Sequence, residues 1–311
     1  SDAVRSVSMK TNHVGNVCRI ATSAVLLLSA AAPARGQAQP GTDIFLFAVS
    51  GSESAPRLST PRRVTDRSGY DNQPSFTPDH AGLLYTSIRD DGQADTYRYD
   101  IATGGISRVT STAESEYSPT AMPGGVSFSA VRVEMDSTQR LWRFDLDGGN
   151  PTLILERVAP VGYHAWMDRN RVALFVLGAP PTLQMADVRT GQTAVLSRDV
   201  GRSLHKVPNR SAVSFLQRFA DGPWIVERDL ESGVARVLTR PAGQNEFFAW
   251  TLDGSILMGE GSVLFRWRDG GQGWVRMADL GHFGVTEISR VAVSGDGRWV
   301  AVVTARAEVE R

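Results

Sequence analysis

A unit of a little over forty residues repeats along this chain, and no other feature constrains the fold as strongly. Alignment of the copies places their first residues at Pro74, Pro119, His164, His205, Phe248 and Val291. By subtraction, the intervals are 45, 45, 41, 43 and 43 residues. Within a copy, short apolar runs alternate with polar turns in the order strand, turn, strand, loop, strand, turn, strand. A period of this length with four strands per copy is typical of a β-propeller blade.

The turn that closes the third strand also recurs. Four copies carry an aspartate four residues before a glycine, in the segments 100–104, 145–149, 187–191 and 229–233. An aspartate opens such a turn by bonding to its own backbone, and glycine adopts the positive φ that ends it. The spacing therefore predicts a tight connection between the third and fourth strands of each blade.

The two ends of the repeat array complement each other. The last copy, which begins at Val291, supplies only two strands, whereas segments 43–49 and 61–65 form two further strands before the first copy. Two strands from each end would complete one blade and leave no unpaired sheet edge. The sequence thus predicts an all-β, six-bladed β-propeller with four-stranded antiparallel blades, in which the last blade is shared by the N- and C-terminal strands.

The residues before the repeats have the composition of an export signal. Lys10 and Arg19 precede the apolar stretch 20–32, and small residues follow it. This stretch is shorter than the roughly 20 residues that cross a bilayer core. We therefore expect a cleaved leader with upstream residues over 1–38, one propeller domain over 39–311, no membrane span after cleavage, and a periplasmic or secreted protein. Cys18 is the only cysteine, which excludes a disulfide framework.

The charge balance excludes a broad class of partners. Lys and Arg together number 33, as do Asp and Glu, so the formal net charge is +0 and offers no basic surplus for nucleic acid.

No Gly-x-Ser-x-Gly elbow of a serine hydrolase occurs. Gly259 and Gly261 begin like a dinucleotide-binding fingerprint, but Leu264 stands where its third glycine is needed. We expect no nucleic-acid partner, and the motifs favour a protein without catalytic machinery.

Three turn segments resemble a known family of repeats. Residues 76–79, 250–254 and 293–297 read Phe-Thr-Pro-Asp, Trp-Thr-Leu-Asp-Gly and Val-Ser-Gly-Asp-Gly. They resemble the Trp-Ser-Pro-Asp-Gly core of TolB-like (PD40, WD40-like) propeller repeats, over roughly residues 41–311. The resemblance implies a non-enzymatic scaffold for protein contacts in the cell envelope, so a protein or peptide partner is expected. A small ligand in the central channel is an open alternative.

The loops that lead into the first strand of each blade are rich in polar residues. In a propeller the first strands line the central channel, and these loops lie together on one face, which we call the entry face. Rigid scaffolds usually carry their functional residues on such loops. We expect binding on the entry face at Tyr70, Asp71, Glu116, Tyr117, Tyr163, His164, His205, Asn245, Glu246, Glu287 and Arg290.

Three histidines suggest a different function. His164 and His205 occupy equivalent positions in neighbouring blades, and His282 lies in a further entry loop. Imidazoles with a carboxylate from Glu116 or Glu287 can bind a divalent metal or exchange protons. Pectate-type lyases with related repeats use a histidine-rich channel metal. A metal-assisted carbohydrate lyase or hydrolase is therefore the alternative to a cofactor-free scaffold, although histidines on channel strands more often bond to neighbours or water.

Two further patterns have structural explanations. Phe76, Trp166 and Trp250 share one repeat position, which predicts core packing between blades rather than a ligand cage. The acidic loop 90–95 lacks the ligand spacing of an EF-hand, which predicts a solvated turn rather than a calcium site.

Overall fold

The computed structural model describes residues 40–52 and 55–306, so the predicted leader over residues 1–38 lies outside the described residues. The regular structure of the described part is β-strand, apart from a single 3-10 turn at Gly281–Phe283. No helix in this part has the length and apolar character that crossing a membrane requires. The strands form six antiparallel sheets, which confirms the all-β prediction.

The strands follow one another in blade order. The N-terminal strands are β1 (Thr42–Ser52), β2 (Ala55–Leu58) and β3 (Arg62–Arg63). Blade 1 contains β4 (Tyr70–Phe76), β5 (Gly82–Ile88), β6 (Ala94–Asp100) and β7 (Ile106–Arg108). Blade 2 contains β8 (Ser115–Ala121), β9 (Ser127–Val133), β10 (Gln139–Asp145) and β11 (Thr152–Leu153). Blade 3 contains β12 (Val161–Trp166), β13 (Arg171–Val176), β14 (Thr182–Asp187) and β15 (Thr193–Arg198).

The remaining blades complete the ring. Blade 4 contains β16 (Val200–Lys206), β17 (Ala212–Phe219), β18 (Gly222–Asp229) and β19 (Ala235–Thr239). Blade 5 contains β20 (Phe248–Trp250), β21 (Ile256–Glu260), β22 (Val263–Trp267) and β23 (Trp274–Asp279). Blade 6 begins with β24 (Ile288–Val293) and β25 (Trp299–Ala305) and is completed by β1 to β3.

Blade 6 confirms the predicted closure of the ring. β1 pairs antiparallel with β25 from Thr42–Ala305 to Ala48–Trp299, and β3 pairs with β1 on the other side. The side chain of Asp43 reinforces this junction, since Arg63 and Arg306 donate to its carboxylate at 2.9 and 3.0 Å. The sheet exceeds the predicted four strands because β2 pairs with the far end of β1.

The hydrophobic core lies between neighbouring blades. Ile44 and Val303 of blade 6 pack in one cluster with Leu83 and Tyr85 of blade 1, and equivalent clusters fill the other inter-blade spaces. The second strand of a blade is covered on both faces, and β25 accordingly has five consecutive buried residues. Burial on both faces explains why these strands are continuous apolar runs rather than alternating ones.

The recurring turn forms as predicted in blades 1, 3 and 4, whereas the turn of blade 2 is shifted by one residue. The amide of Gly104 donates to the carbonyl of Asp100 at 2.8 Å, and its φ is +75°. In blade 2 the residue with positive φ is Gly148, whose amide donates to the carbonyl of Asp145 at 2.9 Å, so the turn is one residue shorter than the spacing to Gly149 predicts.

The aromatic repeat position serves inter-blade packing, as predicted. The indole nitrogen of Trp166 donates to Ser129 Oγ of the preceding blade at 2.9 Å, and that of Trp250 donates to Ser214 Oγ at 2.8 Å. Each tryptophan therefore satisfies its N–H while its ring fills the space between blades.

Gly259, part of the incomplete fingerprint, also serves blade packing. A Cβ at this position would lie only 2.2 Å from Cγ2 of Ile288 on β24. The glycine lets β21 of blade 5 approach blade 6 closely, and this accounts for its presence without a nucleotide.

Candidate functional site

The six inner strands form a closed ring around a channel. β4, β8, β12, β16, β20 and β24 contact one another in turn, and β24 contacts β4. They enclose a cavity of about 420 Å³ that is lined by residues of all six blades. The entry face lies at one end of this channel. The other end, which we call the turn face, carries the turns between first and second strands, and the cavity extends there to Pro208, Leu252 and Gly295.

Four side chains meet at the entry end of the cavity, and we call them the axial cluster: Tyr163, Arg202, Phe247 and Arg290. The Arg290 guanidinium lies over the Phe247 ring, 3.5 Å from its centroid, and donates to the Tyr163 hydroxyl at 2.9 Å. The Tyr163 and Phe247 rings meet edge to face at 5.8 Å, and Arg202 lies 5.2 Å from the Phe247 centroid. Since blades 3 and 6 are opposite in a ring of six, these contacts cross the channel.

The repeat explains why three of these residues converge. Tyr163, Phe247 and Arg290 each precede the aligned first residue of a copy, so they occupy the same level of the ring. Inner strands β12 and β24 carry a register shift at or next to this level. Such bulges redirect side chains. This alignment with Tyr163 and Arg290 is the sequence signal that places Phe247 in the cluster.

Blades 1 and 2 place Gln73 and Ser118 at the same level. Both have positive φ, +58° and +54°, at register shifts in β4 and β8. The Oε1 atom of Gln73 accepts hydrogen bonds from the Ser118 amide at 2.7 Å and from Thr86 Oγ1 at 2.9 Å. Here the ring is closed by a polar bridge between adjacent blades rather than by a side chain that crosses the channel.

Two of the predicted tyrosines surround the axial cluster. Burial raises the pKa of Tyr70, and the nearby Arg290 acts in the opposite direction; Tyr163 and Tyr117 are also within electrostatic range. Burial likewise raises the pKa of Tyr117. Both phenols therefore stay neutral at physiological pH, and that of Tyr70 lies within electrostatic range of Arg290 and Arg202.

Glu246, another predicted residue, balances part of this positive charge. Its carboxylate accepts from Nε of Arg202 at 2.9 Å and also binds Arg218. Burial acts to raise the pKa of Glu246, but the hydrogen bonds from Arg202 and Arg218 outweigh it and lower the pKa below its usual value. Arg202 was not predicted from the sequence, because it aligns with no arginine in the other copies of the repeat. It lies in β16, two residues after the start of that strand.

Two acidic residues predicted for the entry face point between blades instead. Asp71 has a fully buried carboxylate that pairs with Arg67 at 3.0 Å and accepts from Ser87 Oγ at 2.6 Å. Glu116 is fully buried beside Arg132, whose Nε donates to the Glu116 carboxylate at 3.2 Å. Burial raises the pKa of Glu116. Successive side chains of a strand alternate in direction, and these two lie on the side turned away from the channel.

Asn245 and Glu287 lie in the loops before β20 and β24, and their surroundings differ. The side-chain amide of Asn245 donates to the carbonyls of Ile288 and Ser289 at 2.9 and 3.2 Å, which ties the blade 5 loop to blade 6. The Glu287 side chain is exposed.

The channel histidines are held by protein neighbours. His164 is 7% exposed and its Nε2 lies 2.7 Å from Ser129 Oγ, whereas His205 packs against Phe248 with its Nε2 3.2 Å from Ser203 Oγ. Burial lowers the pKa of His164 to about 3 and that of His205 to about 4, so both imidazoles are neutral at pH 7.

The third histidine lies apart from this pair. His282 is exposed on the 3-10 turn and contacts Phe283, with ring centroids 3.8 Å apart. Residues 40–52 and 55–306 contain no group of three or more His, Cys, Asp or Glu side chains placed to bind a metal ion. The structure therefore does not assemble His164, His205 and His282 into one ligand set, because only the first two line the channel.

The acidic loop 90–95 does not form a ligand cage. Asp95 is buried in β6 and pairs with Arg108 at 2.7 Å, while Asp90 and Asp91 are exposed at the turn. Its three carboxylates thus point to different environments.

Comparison with known proteins identifies the fold. No family model matches the sequence, and no curated protein does. Among solved structures, a putative TolB from Agrobacterium tumefaciens aligns over 87% of this chain and 100% of its own, with 14% identity and a TM-score of 0.69. TolB from Acinetobacter baumannii aligns over 86% of this chain and 64% of its own, with 15% identity and a TM-score of 0.58.

An enzyme structure is also similar. An oligogalacturonate lyase in complex with manganese aligns over 79% of this chain and 80% of its own, with 16% identity and a TM-score of 0.53. Identities this low establish the fold alone. The chain is therefore a TolB-like six-bladed β-propeller, as the repeat motifs predicted.

Proposed function

We propose that this TolB-like propeller is a binding scaffold of the cell envelope that docks a protein or peptide partner on its entry face. The TolB-like fold supports a scaffold, and the leader-like composition of residues 1–38 supports a periplasmic or secreted location. The observation that carries the proposal is the axial cluster, where Arg290 stacks on Phe247 and bonds to Tyr163 at the centre of the face. Tyrosine and arginine are enriched among the residues that dominate protein–protein binding energy.

The surroundings of the cluster suit a recognition surface. Tyr70 and Tyr117 add two neutral phenols, and Asn245 and Glu246 are held in place by bonds to neighbouring blades. A central aromatic group with a polar rim is the usual arrangement of a protein interface. Because the cluster is held by contacts from blades 3 to 6, its side chains lose little freedom on binding.

Peptide selection tests this proposal without knowledge of the natural partner. A displayed random peptide library would be panned against the immobilised protein, and selected peptides measured by titration calorimetry. We expect Phe247→Ala to weaken them by at least about tenfold, the effect of losing one dominant residue. Val275→Ala, on the exposed outer strand β23, should leave the affinity unchanged. Equal binding to wild type, Phe247→Ala and Tyr117→Ala would overturn docking at this face.

A metal-assisted carbohydrate lyase or hydrolase is the alternative proposal. The supporting observation is that His164 and His205 line the same cavity as neutral imidazoles, the form that binds metal. His164 Nδ1 is buried without a hydrogen-bond partner among the described residues. Elemental analysis of protein purified without chelators, with turnover assays on acidic polysaccharides, distinguishes the two proposals. Stoichiometric metal together with turnover that is lost in His164→Gln would favour the enzyme.

A further inference from the structure

Among the described residues, those that line the channel cavity include cationic side chains but no carboxylate. Arg202, Lys206 and Arg290 contribute to its lining, and the described residues that line it include no aspartate or glutamate. The two lining histidines are neutral at pH 7. The electrostatic potential inside the channel is therefore positive, although the formal net charge of the chain is +0. The low dielectric constant of the surrounding protein strengthens this potential.

Arg290 has donors that the protein leaves unused. Its one described hydrogen bond goes to the Tyr163 hydroxyl, and its face is covered by the Phe247 ring. No carboxylate of the described residues pairs with it, in contrast to Arg202, which Glu246 neutralises. Stacking fixes the plane of the guanidinium, and a fixed fork of N–H groups matches the two oxygens of a carboxylate.

The remaining lining suits an organic body rather than an inorganic ion. Trp166, Phe248 and Trp250 line the cavity together with Val291 and Val293. A volume of about 420 Å³ is in the range of small-molecule sites, which combine apolar walls with a few placed polar groups. An aromatic or aliphatic acid would place its apolar part against these rings.

The axial cluster also decides from which end such a molecule enters. Tyr163, Phe247 and Arg290 contact one another across the channel at the entry end, whereas the cavity continues to Leu252 and Gly295 at the turn face. Tyr70 and Tyr117, on the entry side of the cluster, do not line the cavity. The open path therefore leads from the turn face.

We infer that the channel binds a small organic carboxylate, which enters from the turn face and pairs its acid group with Arg290. This site lies inside the channel and goes beyond the partner docking proposed for the entry face. Either function can fail without the other, since the docking test uses peptides on Phe247 and the channel test uses small acids.

Titration calorimetry with matched probes tests the charge requirement. Benzoate and phenylacetate should bind, and the uncharged benzamide and phenylacetamide, of similar size, should not. Arg290→Met should weaken benzoate by about ten- to a hundredfold, the range for a lost hydrogen bond to a charged group. Arg189→Met, an exposed arginine on blade 3, is the control and should match wild type. Circular dichroism checks folding, and Arg290→Lys, which keeps the charge, should retain part of the affinity.

Each contrary result counts against the inference. Equal binding of benzoate and benzamide, absence of binding by both acids, or unchanged binding in Arg290→Met would overturn the anion site. Phenyl phosphate that binds where benzoate does not would overturn the choice of a carboxylate.

A labelling pair tests the direction of entry. In a Cys18→Ser background, Leu252→Cys places a thiol at the turn face and Glu287→Cys places one at the entry face, both at exposed positions. Each is coupled to a bulky polyethylene glycol maleimide. Benzoate association should slow at least about tenfold with the label at 252 and stay unchanged with the label at 287, as expected for steric access through one end. The reverse pattern would overturn entry from the turn face.

Discussion

Arg290 of blade 6 donates a hydrogen bond to the hydroxyl of Tyr163 of blade 3, 2.9 Å away, and so joins two blades on opposite sides of the ring. The residues are 127 positions apart in the chain. Contacts within a blade or between neighbouring blades hold most of the propeller together, and this bond is different because it spans the channel. It makes the centre of the entry face a packed surface, and it also leaves the guanidinium facing the cavity.

Removal of the acceptor in this bond has a measurable cost. Tyr163→Phe keeps the ring against Phe247 and deletes the hydroxyl, so we expect the free energy of unfolding in urea to fall by about 1 kcal/mol, the typical net value of such a bond. Tyr117→Phe is the control, since burial alone raises the pKa of its hydroxyl. Equal stability of both variants and wild type would show that the bond contributes nothing.

The charge of Glu246 should limit anion binding. It neutralises Arg202 and Arg218 at the edge of the cavity, so Glu246→Gln should raise benzoate affinity several-fold at low ionic strength. The gain should shrink in 0.5 M salt, because screening shortens to a few ångströms. Glu231→Gln, in an exposed turn of blade 4, is the matched control. A loss of affinity in Glu246→Gln would contradict the electrostatic account.

Burial of His164 predicts a pH dependence of stability. Its pKa is lowered to about 3 in the folded protein, below the usual 6.5. Between these values the unfolded chain binds a proton that the folded chain does not, so stability falls as the pH drops from 6.5 towards 3. In His164→Gln the free energy of unfolding, measured in urea, should depend less steeply on pH in this window. The decrease in slope should correspond to at most about one bound proton. The exposed His282→Gln is the control, and an identical slope in both variants would contradict the assignment.

Close packing at Gly259 predicts a steric effect. A Cβ there would lie 2.2 Å from Ile288, so Gly259→Ala should destabilise the protein by roughly 1–3 kcal/mol, as overpacked cores do. At Gly41 a Cβ would meet its nearest atom at an ordinary 3.5 Å. The melting temperature of Gly41→Ala should therefore match that of wild type. Equal melting temperatures of the two variants would show that Ile288 of blade 6 can move aside at little cost.

The fold was predictable from the sequence because a repeat exposes its own architecture. The aligned positions fix the number of blades, and the two unpaired strands at each end fix how the ring closes. The hairpin formed by β2 was not predicted, since residues 55–58 have no apolar alternation that sets them apart from a loop. Nor was the shorter turn at Gly148, where two adjacent glycines offer the backbone a choice.

The site was only partly predictable, for reasons of strand geometry. Tyr163 and Arg290 were identified because they are polar residues in entry loops. Phe247 was missed because an apolar residue next to Phe248 resembles ordinary core, and only its alignment with the other two indicates otherwise. Asp71 and Glu116 also lie in polar entry loops, but bulges in the inner strands decide which side chains reach the channel, and local sequence does not reveal the register of these strands.

The pairing of β1 with β25 makes residues 42 and 305 backbone neighbours. The ring itself therefore does not require the break in the backbone to lie in blade 6, since a longer loop between two blades is an alternative place for it. A circular permutant that joins residues 42 and 305 through a short linker and opens the loop 240–247 between blades 4 and 5 should retain the same six blades. The order of the blades around the axis, rather than their order along the gene, is what this architecture preserves.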